Sequence, residues 1–101
     1  MSDHLAIAEL ARHSNGRAVM LWHYLYFPNR RDATWVGAQL RPRGYRVETR
    51  READGPDWLV LAGRAVVPNE ADVLGSRHEV EAIVASRGGE YDGWEGEIAA
   101  G

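Results

Sequence analysis

Nine consecutive residues, Val19 to Phe27 (VMLWHYLYF), constrain this chain more than any other stretch: all are apolar or aromatic except His23, and Pro28 closes the run. A membrane-spanning helix needs about 20 apolar residues, and a loop would carry glycine or polar residues, so the run predicts a central β-strand buried on both faces. Such a strand needs a neighbour on each side. Within it Val19, Leu21, Leu25 and Phe27 alternate with Met20, Trp22, Tyr24 and Tyr26. If helices cover one face, the aliphatic set is expected there, with Trp22, Tyr24 and Tyr26 on the other.

The rest of the chain supplies the neighbours. Asp3 to Ser14 spaces Leu5, Ile7, Ala8, Leu10 and Ala11 for a short amphipathic helix, stopped at Asn15-Gly16. After Pro28-Asn29 a second helix is expected over Arg31 to Arg41, with Ala33, Val36, Gly37 and Leu40 inward. Tyr45 to Arg50 alternates Tyr45, Val47 and Thr49 with Arg46, Glu48 and Arg50, a half-buried edge strand. The turn-rich Glu52 to Asp57 joins it to Trp58 to Ala62 (WLVLA), a second strand apolar on both faces. Pro68-Asn69-Glu70 opens a helix whose inward positions are Val73, Val80, Ile83 and Val84, and Gly88-Gly89 ends it. Glu90 to Ile98 is the last strand, polar apart from Tyr91, Trp94 and Ile98.

The order β-α-β-β-α-β after an N-terminal helix predicts an α+β fold, a ferredoxin-like split βαβ sandwich with antiparallel sheet order 4-1-3-2. That order puts the two apolar strands at the centre. At 101 residues the chain is expected to form one domain, residues 1–16 its helix and 18–98 its core. There is no cysteine for a disulfide or thiolate site, and the start lacks the cationic and apolar regions of a secretory signal, so the cytoplasm is expected. No segment reads as a membrane span.

Little in the sequence looks catalytic. His4, His13, His23 and His78 follow no metal-ligand spacing, no serine sits in a nucleophile elbow, and the glycines form no phosphate loop. No cofactor or metal is called for. His23 interrupts the central strand, where a buried imidazole is expected to be a core group satisfied by a hydroxyl or carbonyl. The alternative is a small dimeric ferredoxin-like enzyme, of the cofactor-free oxygenase or isomerase type, with its site around His23.

Trp22, Tyr24 and Tyr26, with Trp58 on the neighbouring strand, could stack nucleobases on the uncovered face, with Arg41, Arg43, Arg46, Arg50 and Arg51 near by. A pI of about 5.8 and a missing RNP1 pattern argue against direct nucleic-acid binding. Packing in the core, or in the seam of a homodimer, is the plainer use of those rings.

Charge is divided along the chain: residues 1–50 hold eight Arg against four acids, residues 51–101 four Arg against eleven. An Arg-rich rim at one sheet edge and an acidic rim (Glu90, Asp92, Glu95, Glu97) at the other are therefore expected. Head-to-tail joining of such rims makes fibres, so the acidic rim is expected to face a different, basic partner.

The block Glu90-Tyr91-Asp92-Gly93-Trp94-Glu95 resembles the signature of the bacterial ribonuclease E inhibitors called regulator of ribonuclease activity B. His23 to Pro28, Gly44 to Glu48 and Trp58 to Ala62 are similar to the other blocks of its short, actinobacterial-type members, in the same order. The better-known members carry a long acidic tail and a longer acidic N-terminal segment that this sequence lacks. The resemblance implies a ferredoxin-like domain without catalysis that binds a ribonuclease E-like endoribonuclease and lowers its activity. It transfers no catalytic residues. Tyr91, Asp92, Trp94, Glu95 and Glu97 are the expected partner contacts, with Trp94 as anchor. Asp92-Gly93 inside a strand suggests a bulge that turns Tyr91 and Trp94 to the same face.

Overall fold

A computed structural model describes residues 3–98. In chain order it has α1 (Asp3–Ser14), β1 (Val19–Phe27), α2 (Arg30–Leu40), a 3-10 turn (Arg41–Arg43), β2 (Arg46–Arg51), β3 (Trp58–Val66), α3 (Glu70–Ala85) and β4 (Glu90–Glu97). The four strands form one antiparallel sheet in the order β2-β3-β1-β4, the expected order read from its other edge.

Local chemistry sets the helix ends. The side chains of Asn29 and Asn69 each accept a backbone N–H from the third residue on, Asp32 at 2.9 Å and Asp72 at 2.8 Å, and so cap α2 and α3. α1 closes where Gly16 N–H reaches back to the Ala11 carbonyl at 3.0 Å.

The odd residues of β1, from Val19 through His23 to Phe27, are buried, and the even ones are half-buried. Leu25, Phe27 and Val60 pack with Val36, Leu40, Val80 and Val84 of α2 and α3, while Val19, Leu21 and Val66 pack with Ile7 and Val73 of α1 and α3. All three helices therefore lie on one face of the sheet. The expectation that β1 is buried on both faces is corrected: Met20, Trp22, Tyr24 and Tyr26 are only half-buried, and no helix of the described residues covers them. Fully burying a side chain such as Phe27 is worth roughly 1.5–3 kcal/mol, so the helix-covered face carries most of the folding energy.

Two elements differ from the sequence reading. β3 runs on past Ala62 to Val66, because nine residues of β1 need a partner along their whole length and Val19 pairs with Val66. Gly63, one residue beyond the expected strand, lies beneath Trp22: a Cβ there would stand 2.5 Å from the indole ring. In α3 the inward set is Val73, Ser76, Val80 and Val84, while Ile83 is only half-buried.

Candidate functional site

β4 positions every acid expected to touch a partner. Its register along β1 shifts between His23 and Leu25, and Gly93 has a φ of 107°, a conformation that costs other residues strain. This bulge turns Trp94, opposite His23, and Tyr91, opposite Leu25, to the same helix-covered face. Glu90, Glu95 and Glu97 project on the open face, and Asp92 is exposed at the bulge itself.

On the open face the even residues of β1 meet these acids. Tyr24 Oη donates to Glu95 Oε1 at 2.6 Å, and Trp22 Nε1 donates to Glu97 Oε1 at 3.3 Å. The bond to the Glu95 carboxylate, which ionisation of the phenol would break, pushes the Tyr24 pKa up to about 12. Tyr26 is raised too, by burial and then by the nearby Glu52 and Asp92. Trp58 does not join this row. It pairs with Phe27, so it lies on the helix-covered face, where the Arg30 guanidinium sits 5.5 Å from its ring centre. Leu59 and Leu61 occupy the β3 positions beside Tyr26 and Tyr24 instead. Arg46 and Arg50 share the open face from β2, while Arg51, paired with Trp58, turns away. With carboxylates holding the polar ends of its rings, this surface repels a phosphate backbone on its β4 side.

Trp94 is half-buried and turned inward. Its Nε1 donates to Asp3 Oδ1 at 3.3 Å, and Asp3 in turn accepts from Arg77 of α3 at 2.5 Å. The exposed part of the ring looks into an open apolar groove of about 480 Å³ between α1 and the end of β4, lined also by Leu5, Leu10 and Ile98.

Behind β4 lies a hydrogen-bonded chain that runs from Tyr91 to Glu79. His23 has no exposed surface; its Nδ1 is 2.7 Å from Tyr91 Oη and its Nε2 2.9 Å from Ser76 Oγ. Ser76 Oγ is also 2.7 Å from Tyr45 Oη, which lies 3.0 Å from Glu79 Oε1. Only one set of proton positions satisfies every link. The Glu79 carboxylate must accept, so Tyr45 donates to it, Ser76 donates to Tyr45, His23 donates from Nε2 to Ser76, and Tyr91 donates to His23 Nδ1. Arg43 and Arg64 hold Glu79 at 3.5 and 3.3 Å.

Burial, helped by Arg64 and Arg77, lowers the His23 pKa to about 4, so the ring is neutral at physiological pH. Burial likewise raises Tyr91 and Tyr45 above the usual phenol value. Both imidazole nitrogens are engaged and the ring has no exposed surface, which leaves the alternative of an enzyme site around His23 without access for a substrate. The satisfied-core reading of His23 matches this geometry, whereas Ser76, Tyr45 and Glu79 were missed as its partners. The available signal was a serine on the apolar stripe of α3, three residues after Val73 and four before Val80.

The family model described as regulator of ribonuclease activity B matches residues 14–96. The matched stretch takes in β1, β2, β3 and all of β4 but Glu97, and leaves out nearly all of α1. No curated protein and no solved structure gives a match.

Proposed function

The chain belongs to the regulator of ribonuclease activity B family, and on that premise we propose that it is a non-catalytic protein that docks a basic segment of a ribonuclease E-type endoribonuclease and lowers its activity. The observation that carries this reading is the acidic outer strand. Glu90, Asp92, Glu95 and Glu97 are all exposed on β4, and no cation in that strand neutralises them. Asp92, Glu95 and Glu97 are the charged contacts, and the uncovered parts of Tyr91 and Trp94 supply the apolar ones. The rings lie on the helix-covered face of β4 and Glu95 and Glu97 on its open face, so a partner reaches both along the outer edge of the strand, where charge governs the encounter and the rings hold the complex.

Because Trp94 also packs inside its own fold, carboxylate variants test the proposal more cleanly than Trp94→Ala. The triple variant Asp92→Asn, Glu95→Gln, Glu97→Gln is expected to bind the purified ribonuclease and slow its cleavage of a single-stranded RNA at least about tenfold less well than the parent. Raising salt from about 50 to 200 mM should weaken the parent complex severalfold. Cleavage that proceeds at the same rate with and without the protein, or inhibition indifferent to both salt and the triple variant, rejects the reading.

A further inference from the structure

Two of the residue rows that cross the open face end in opposite charges. One row runs from Arg46 on β2 through Gly63 and Trp22 to Glu95 on β4. Another runs from Arg50 through Leu59 and Tyr26 to Glu90. The four charged ends are exposed, and between them lie half-buried Met20, Trp22, Tyr24, Tyr26 and Leu61. No helix of the described residues covers this surface.

We propose that the open sheet face docks a second copy of this chain, face to face, about a two-fold axis parallel to the strands. That rotation exchanges the two edges of the sheet but keeps each residue's position along the strand, so β2 of one copy lies over β4 of the other. Arg46 then stands over Glu95 of the second copy and Arg50 over Glu90, and the symmetry makes each contact twice. The rings of β1 lie over β3 of the second copy, where Leu61 is the half-buried residue that faces them; Leu59 is buried and Gly63 is covered by its own Trp22, so the rings themselves make most of the apolar contact. Two open-face acids have no cation opposite: Glu48, in the middle of β2, meets the bulge with its exposed Asp92, and Glu97 lies beyond the start of β2.

Charge selects this axis over the other face-to-face choice. A two-fold perpendicular to the strands sets Arg over Arg and Glu over Glu, an arrangement that like-charge repulsion disfavours. The two-fold also closes on itself, which the edge-to-edge joining of an Arg rim to an acidic rim does not. Sheets stacked this way cross at about 30°, a divergence that the long Arg and Glu side chains span at the corners. Four strands about 4.8 Å apart and about eight residues long make a face of about 20 by 26 Å. Stable interfaces use about 800 Å² a side, so this one is at the small end and its dimer depends on concentration.

Sedimentation velocity on the full chain alone, from micromolar to millimolar, tests the proposal without any ribonuclease, so its failure and that of the binding reading are separate events. The parent is expected to pass from monomer to dimer as concentration rises. Arg46→Glu with Arg50→Glu makes both outer strands of the face acidic; Glu90→Arg with Glu95→Arg makes both basic. Each double variant alone should dimerise at least about tenfold more weakly, and an equimolar mixture of the two should recover the dimer as a heterodimer. Circular dichroism establishes that each variant is folded. Should a reversal unfold the chain, salt replaces it: the parent dimer should weaken severalfold between about 50 and 500 mM. A parent monomeric throughout, folded variants that dimerise like the parent, a mixture of folded variants that stays monomeric, or a dimer indifferent to salt overturns the proposal.

Discussion

The two faces of one sheet use the same side chains to opposite ends. Tyr91 and Tyr24 both donate a phenol proton across the β1–β4 pair, Tyr91 to the buried ring of His23 and Tyr24 to the exposed carboxylate of Glu95. On the helix side the bond belongs to a chain in which each polar atom depends on the next. Among the described residues no buried side-chain nitrogen or oxygen lacks a partner. On the open side water can replace either partner. A hydrogen bond whose partner is buried is expensive to break, whereas one in water contributes little, so the covered face holds the fold and the open face is free to bind.

The sharpest way to break this comparison is to truncate one ring on each face. Phe27→Ala is expected to cost about 3–5 kcal/mol by urea denaturation at low protein concentration. Tyr26→Ala, one position away, should cost about 1 kcal/mol or less, as surface changes do. Equal losses would mean that the open face is packed as tightly as the core.

Acid comes next in size. The folded-state pKa of His23, about 4, lies below its unfolded value of 6.5, so the unfolded chain takes up the proton first. Stability from this group is complete above pH 6.5, declines as pH falls, and levels off near pH 4, a loss of up to about 3 kcal/mol. Denaturant titrations at several pH values should show that slope, and His23→Gln should remove it. A slope that survives the substitution assigns the acid sensitivity to other groups.

Ser76→Ala removes the middle link and leaves His23 Nε2 and Tyr45 Oη short of a partner, for an expected cost of about 1–3 kcal/mol. A neutral result would show that the chain of bonds carries no stability.

The smallest effect sharpens the open side. Tyr24→Phe should change stability by less than about 1 kcal/mol, yet, since all four phenols are raised, the difference between the ultraviolet titrations of the parent and of this variant should isolate one phenol with a pKa near 12. Glu95→Gln should bring that value down toward the ordinary 10.0, because the carboxylate that holds the proton is gone. A Tyr24 that titrates at the ordinary value in the parent would break the link to β4.

Much of this contrast was legible in the sequence. Strict alternation in VMLWHYLYF separates the two faces of β1, and the Pro-Asn openings place the starts of α2 and α3 to within a residue. The Asp-Gly pair inside EYDGWE pointed to the bulge that turns Tyr91 and Trp94 the same way. Trp58 was legible as a strand residue but not as to its side. A strand apolar on both faces has no hydrophobic asymmetry to show which set faces the helices, and that depends on how the Glu52 to Asp57 loop sets its register on β1. Ser76 was hidden for a related reason: on a helix a serine reads as solvent-facing until something on another element needs its hydroxyl.

The amino-acid order alone determined the elements, their succession and the central place of the two apolar strands, because period and end signals are local properties of a chain. Only the tertiary structure decided which side Trp58 takes, that β3 runs on over Gly63, and that His23, Ser76, Tyr45 and Glu79 form one chain of bonds. Those outcomes depend on distances between residues from 31 to 53 positions apart, and no local pattern encodes them.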